Sequence, residues 1–227
     1  MQGEFLWGSN YTFLVLIDHN DAQIPAVYKP TRGVRPLWDF PQTSLPRREV
    51  AAYLVSEALG WELVPPTTFR EDGPLGPGSL QLYIEHDPEY HYFNFSNKDI
   101  QKLRPTVIFD VLINNADRKG SHVIFDEGDH LWLIDHGVCF HTIDKLRTVL
   151  WDFIGQTLPD QFQEDLLSLR SKLNDINGNR SLLADSISAH LNSEEIEAIA
   201  RRLSGLIASG CFPSPDPDRR HYPWPQI

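Results

Sequence analysis

Two aspartates, Asp117 and Asp135, stand at the ends of what reads as a β-hairpin in the run Asp110 to Phe140, DVLINNADRKGSHVIFDEGDHLWLIDHGVCF. Asp117 opens the short polar loop Asp117-Arg118-Lys119-Gly120-Ser121-His122, and a strand from His122 to Phe125 follows it. Asp126-Glu127-Gly128-Asp129 is a turn cluster, and a second strand, Leu131 to Ile134, ends at Asp135-His136-Gly137. Carboxylates so arranged suit phosphoryl transfer: one positions the attacking hydroxyl, and the other holds a metal ion on the nucleotide phosphates. A single loop aspartate is usually a turn or cap residue, so the pair and its hairpin carry the signal. No Gly-x-Ser-x-Gly elbow, Walker-type loop or Cys-x-x-Cys occurs, and His86, His91, His130, His136 and His141 follow no metal-ligand spacing.

The elements that must position this segment fall into a β-rich first part and a helical second part. Asn10 to Asp18 and Ala26 to Lys29 are strand candidates joined by the polar turn His19 to Gln23, and Pro30 to Pro46 reads as a loop. Val50 to Leu59 has apolar residues at helical spacing, with Gly60 where a helix would stop. The loop Asp72 to Gly78 precedes a strand from Gln81 to Glu85. From Lys98 onward the spacing predicts helices over Lys98 to Asn114, Leu158 to Leu173 and Ser193 to Ser209, the last capped by Ser193 with acidic residues in its first turn. The tail Pro213 to Ile227 contains five prolines and reads as extended. No internal repeat is found.

A chain of 227 residues, 41% hydrophobic and 22% charged, can bury a sizeable core. Its formal charge of −11, from 20 basic and 31 acidic residues, argues against broad nucleic-acid binding and against an electrostatic grip on anionic membranes. Cys139 and Cys211 have no ligand spacing and form no disulfide framework, which fits a reducing compartment. Neither a signal peptide nor a bilayer-spanning stretch is read from the sequence, and Phe13 to Ile17 is far too short to span. A soluble, cytoplasmic protein is the expectation.

Four runs in order now resemble a known family: Val27-Tyr28-Lys29-Pro30, Arg35-Pro36-Leu37-Trp38-Asp39-Phe40-Pro41, Arg48-Glu49-Val50-Ala51-Ala52-Tyr53, and the Asp117/Asp135 segment. The pattern is similar to the phosphatidylinositol 3-/4-kinase-like group of atypical kinases, in particular a small bacterial subgroup related to type II phosphatidylinositol 4-kinases and more distantly to HipA-type kinases. It covers roughly Gly3 to Trp151, with an echo at Trp224-Pro225. The resemblance implies an α+β, two-lobed kinase fold, with a β-rich N-lobe over 1–85 and a helical C-lobe over 86–227, and ATP with Mg²⁺ or Mn²⁺ as cofactors.

Carried over residue by residue, the resemblance puts Ser9 and Asn10 in the phosphate-covering hairpin loop of Gly8 to Thr12. Lys29 becomes the lysine on the α/β-phosphates, and Glu49 its ion-pair partner. Leu82, Tyr83 and Ile84, in the segment joining the lobes, would contact adenine together with Ile134. Asp117 becomes the catalytic aspartate and Asp135 the metal-binding one, while Arg118 reads as a structural partner of a nearby carboxylate. One position departs from the family. Where most such kinases carry a metal-binding Asn, this chain has His122, which implies an altered metal preference, a hydrogen bond in place of ligation, or a crippled site.

The acceptor is not legible. Val138 to Trp151 corresponds to the activation segment and carries Lys145 and Arg147 but no dense basic cluster, so a lipid, a protein hydroxyl and a small alcohol all stay open. Trp38, Phe40, Trp151 and Phe153 could form an apolar platform near the cleft. Besides γ-phosphoryl transfer, the same fold could transfer AMP to a protein, or serve as a nucleotide-binding pseudokinase.

Overall fold

A computed structural model of the chain describes residues 4–5, 11–34, 36–173 and 182–227. Its first half is an antiparallel sheet of five strands in the order β1-β2-β3-β5-β4: β1 (Glu4–Phe5), β2 (Phe13–His19), β3 (Ala22–Pro30), β4 (Thr67–Arg70) and β5 (Gly78–Leu82). The β2–β3 hairpin pairs His19 with Ala22 and turns on Asn20 and Asp21 alone, at φ 48° and 62°. Two central residues of positive φ are what a type I′ turn requires, and Asn and Asp tolerate them. The five-residue turn expected over His19 to Gln23 is therefore two residues long, and both strands extend into it. On the inner face of the sheet Val15, Ala26 and Tyr28 bury against Phe13, Ile17 and Leu80.

Helix α1 (Leu45–Leu59) crosses from this sheet to the second half. It begins earlier than expected, because Pro46 needs no hydrogen-bond partner for a missing N–H in the first helical turn. It ends as expected at Gly60, which takes φ 72° and donates to the Glu57 carbonyl at 3.0 Å. Buried residues occupy nearly every side of α1, the pattern of a helix enclosed on all sides. Ala51, Ala52, Val55 and Leu59 belong to the main core, shared with the helices that follow.

The second half contains α2 (Asn97–Lys102), α3 (Arg104–Ile113), the hairpin β6 (Val123–Phe125) and β7 (Leu131–Leu133), α4 (Asp160–Leu173), α5 (Leu182–Ser188) and α6 (Ser193–Ser209). The single helix expected over Lys98 to Asn114 is broken at Leu103. Pro105 lies at the start of α3, supplies no N–H and disfavours a helical residue before it. The predicted hairpin is present, with Val123 opposite Leu133 and Phe125 opposite Leu131. Helix α6 is capped by Asn192 rather than by Ser193. The Asn192 carboxamide accepts from the Glu195 N–H at 2.9 Å, and the Glu195 carboxylate accepts from the Asn192 N–H at 3.0 Å. The tail beyond Pro213 forms neither helix nor strand. Among the described residues no helix is long and apolar enough to cross a membrane.

One buried ion pair ties α1 to α6. Arg48, 3% exposed, donates to the Glu195 carboxylate, to the Cys139 carbonyl and to Ser44 Oγ. By contrast Arg47, the preceding residue, makes an exposed pair with Glu71 at 3.1 Å, besides donating to the Ala189 carbonyl and lying over the Phe69 ring. Leaving a buried guanidinium uncompensated costs about 3–5 kcal/mol, whereas an exposed pair is worth under about 1 kcal/mol. Glu195→Ala is expected to lower the urea unfolding free energy by about 3–5 kcal/mol, and Glu71→Ala, which removes only the exposed pair, by less than about 1 kcal/mol. Equal losses in the two variants would contradict this account of the junction.

Candidate functional site

The site begins in α3, where Asp110 sits fully buried in a helix whose other buried positions, Thr106 apart, are apolar. Asn114 takes a left-handed φ of 53° and ends α3, and its carboxamide donates to the carbonyls of His141 and Ile143 at 2.8 Å. Asn115 then donates to Asp110 Oδ1 at 3.0 Å while its own oxygen accepts from the Asp117 N–H at 3.0 Å. The loop that presents Asp117 is thus fixed from below by two asparagines that sequence reasoning passed over. Both directly precede Ala116-Asp117, and residues that cap helices and bond their own backbone are a usable signal there.

Arg118 is 0% exposed and uses its whole guanidinium. Nε and Nη2 hold the Asp110 carboxylate, Nη1 donates to the carbonyls of His122 at 3.2 Å and Ile134 at 3.0 Å, and Nη2 also donates to His136 Nε2 at 2.9 Å. It is the structural partner that the sequence suggested, and it joins both ends of the β6–β7 hairpin. Burial pushes the His136 imidazole well below its ordinary pKa, so the ring is neutral and accepts this bond.

Lys29, at the end of β3, lies between two carboxylates: Glu49 Oε1 at 2.5 Å and Asp135 Oδ1 at 3.1 Å. Burial works against its ammonium, but Asp135 and Glu49 outweigh burial and hold the pKa above the ordinary lysine value. The other Glu49 oxygen accepts the His136 N–H at 2.9 Å. Both Glu49 oxygens are therefore engaged, one by Lys29 and the other by the His136 N–H. Asp135 adopts a left-handed φ of 62°, and the Lys29 ammonium holds its carboxyl well below the usual carboxylate range. Asp117 is only partly covered, with Lys119 Nζ at 3.6 Å. Burial pushes it up to about 6, opposed by Lys119 and reinforced by the charge of Asp135.

His122 is nearly buried, and burial pushes its imidazole down to about 4. Its Nδ1 accepts the Lys119 N–H at 3.4 Å, which leaves the proton on Nε2, 3.4 Å from Asp135 Oδ2. His122 thus turns Nε2 toward Asp135 Oδ2 without closing a hydrogen bond. No cluster of three or more His, Cys, Asp or Glu side chains able to hold a metal occurs among the described residues. Mg²⁺ needs only one or two carboxylates when phosphates and water fill the rest of its shell, so Asp135 fits such an ion, with His122 beside it.

A cavity of about 480 Å³ opens between the two halves and is lined by Lys29, Glu49, Leu82, Tyr83, Ile84, His122, Ile134 and Asp135, with Val27 and Val34 as further apolar wall. It unites the residues expected to bind nucleotide and metal. Asp117 is not part of its lining, and Ser9 and Asn10 lie outside the described residues. The strand expected over Gln81 to Glu85 stops at Leu82, and Tyr83 to Pro88 runs on as the irregular connection between halves. The N–H groups of Leu82 and Tyr83 donate to the carbonyls of Pro66 and Pro25, and the Ile84 carbonyl meets His86 Nδ1. The aromatic platform does not form. Trp38 is exposed beside Lys145, Phe40 packs with Leu45 and Ala116, Phe153 lies in the main core, and Trp151 lines a different cavity.

No family model matches the chain. The protein "Protein Rv2133c" of Mycobacterium tuberculosis (strain ATCC 25618 / H37Rv) is 35% identical over an alignment of 258 positions that takes in 98% of this chain and 90% of that one. The crystal structure of the Helicobacter pylori proinflammatory kinase CtkA superposes with a TM-score of 0.50 at 13% identity, covering 92% of this chain and 91% of that chain. At that identity the likeness is one of fold: a mixed α/β, two-lobed, kinase-like architecture. This chain belongs to the family of the mycobacterial protein Rv2133c.

Proposed function

We propose that this protein is an ATP- and divalent-metal-dependent phosphotransferase, close in type to the phosphatidylinositol 3-/4-kinase-like enzymes, that moves the γ-phosphoryl group of ATP to a hydroxyl. The observation that carries the reading is Lys29 bridging Glu49 and Asp135 on the wall of the interlobe cavity. A lysine flanked by two carboxylates is a point charge aimed where phosphate oxygens would lie. Glu49, fixed by the His136 N–H, keeps the ammonium in place. Leu82, Tyr83, Ile84 and Ile134 supply apolar contact for a base. Mg²⁺ or Mn²⁺ bound at Asp135 would neutralise charge on the phosphates. Asp117 stands outside the cavity lining, oriented by Asn115, and takes or orients the proton of the attacking hydroxyl.

The first test is thermal unfolding with ATP and Mg²⁺ or Mn²⁺. Ligand at about 100 times its Kd stabilises by roughly 2.7 kcal/mol, a rise of about 5–11 °C for a chain of this size. That rise is expected to vanish in Asp135→Ala and Lys29→Met. Label transferred from γ-labelled but not α-labelled ATP separates phosphoryl transfer from AMP transfer, and no thermal response in either metal would sink the reading.

Asp117 generates a paired prediction. Its folded pKa of about 6 lies above the usual aspartate value, so the stabilisation linked to its protonation is complete below about pH 4 and is lost as pH rises through about 6. A shift of about 2 units corresponds to roughly 3 kcal/mol, and partial exposure to solvent reduces this to about 1–2 kcal/mol. Asp117→Asn is therefore expected to raise Tm by about 2–8 °C at pH 8, with the gain gone by about pH 4, while turnover is lost. In the wild type, kcat/KM is expected to fall as pH drops through about 6, because the group must be ionised to take a proton. A pH-independent difference in Tm would remove Asp117 as the titrating group. His122→Asn replaces the imidazole beside Asp135 with an amide and is expected to keep or improve Mg²⁺-dependent turnover; loss of ATP binding in that variant would contradict this expectation.

A further inference from the structure

A second cavity, about 600 Å³, lies among residues 142–151, helix α6 and the tail. Its lining includes Lys145, Arg147, Arg201, Arg202, Arg219 and Arg220 against only two acidic residues, Asp144 and Asp216. On a chain of formal charge −11 this is a concentrated cationic site. Some of the charge is compensated internally: Arg219 pairs with Asp144 and Asp216 at 3.3 and 3.2 Å, and Lys145 with Asp39 at 2.8 Å. Arg202 instead donates to two neutral carbonyls, those of Leu112 and His141. Three of the lining residues carry buried N–H groups without a hydrogen-bond partner: Arg147 Nε, Trp151 Nε1 and Arg202 Nη2. Unpaired buried donors are costly, and guanidinium groups gathered at one cavity with few carboxylates to pair with suit an oxyanion.

The cavity is also tied to the catalytic loop. The Arg147 N–H donates to the Asn115 carbonyl at 2.9 Å, and the Arg147 carbonyl accepts from the Arg118 N–H at 3.0 Å, so Arg147 is clamped to the residues on either side of Asp117. The His221 carbonyl accepts the Thr148 N–H at 3.0 Å and holds the tail against the same segment. The Arg147 charge also reaches the Asp117 carboxylate, so one lining residue of this cavity is coupled to Asp117 both through the backbone and electrostatically.

We infer that this cavity binds the phosphate group of the acceptor, and that the acceptor is a phosphomonoester of a polyhydric alcohol. This rests on the phosphotransfer reading above. The free hydroxyl gives its proton to Asp117, its oxygen forms a bond to the γ-phosphorus, the β–γ bridging bond breaks, and ADP leaves with a bisphosphorylated alcohol as product. Guanidinium groups suit this ligand because their planar donors match phosphate oxygens in pairs. A cavity of this size accommodates a small molecule.

Isothermal titration of the full chain with inorganic phosphate, glycerol 3-phosphate and glucose 6-phosphate tests the site, alongside the thermal response to ATP and Mg²⁺. The wild type is expected to bind phosphate, and Arg147→Gln and the surface double variant Arg201→Gln/Arg220→Gln to bind it about tenfold or more weakly while keeping the ATP response. Sedimentation with neutral vesicles carrying a phosphomonoester lipid, against the soluble esters, distinguishes a lipid headgroup from a free metabolite as the source of that phosphate. No phosphate binding by a wild type that still responds to ATP, or equal binding by both variants, would overturn the inference and leave the phosphotransfer reading standing. Phosphate binding without any ATP response would instead overturn the phosphotransfer reading, and with it the acceptor role of this cavity.

Discussion

The guanidinium of Arg118 is the constraint on which the site depends. Its donors reach α3 through Asp110, the start of the hairpin through the His122 carbonyl, the end of the hairpin through the Ile134 carbonyl, and the turn beyond it through His136. A buried charge is tolerated only when paired and fully hydrogen-bonded, and the geometry of these bonds is correspondingly strict. Lysine could supply the charge but not a planar fork aimed at four partners. Because Asp117 directly precedes Arg118 and Asp135 directly precedes His136, one side chain sets the positions of both aspartates.

From that node the charge arrangement propagates outward. His136 accepts from Arg118 through its ring and donates its backbone N–H to Glu49, which leaves the second Glu49 oxygen for Lys29. Lys29 completes the series at Asp135. The sheet contributes Lys29, α1 contributes Glu49 and the hairpin contributes Asp135, so this chain of contacts adds a polar link between the two halves, beside the packing of α1. The backbone strain at Asp135, with φ at 62°, is held at the point where these contacts converge.

Much of this was legible in the sequence because it is local. The hairpin between Asp117 and Asp135, the Gly60 stop of α1 and the extent of α6 follow from residue type and spacing within a single segment. Arg118 was readable as a structural partner of a nearby carboxylate, which is Asp110. The break before Pro105 required weighing one proline against a long apolar period, and the period was the wrong guide. The reading of Val138 to Trp151 as lacking a dense basic cluster holds for that segment alone. The cluster forms in space, because α6 brings Arg201 and Arg202, and the tail brings Arg219 and Arg220, against Lys145 and Arg147. Such a site has no spacing to detect.

The two cavities differ in a way that bears on how the catalytic loop works. The interlobe cavity combines an apolar wall with the Lys29 series, whereas the second cavity is rich in arginine and lies beside Arg147. Asp117 belongs to the lining of neither, yet its loop is bonded to the walls of both: Arg118 reaches the Ile134 and His122 carbonyls on one side, and the Arg147 backbone on the other. A carboxylate in that position keeps a raised pKa because it is partly desolvated and feels the negative Asp135, while Lys119 and Arg147 limit the rise. Burial sets most of its proton affinity, and Asp135 from one cavity and Arg147 from the other adjust it in opposite directions.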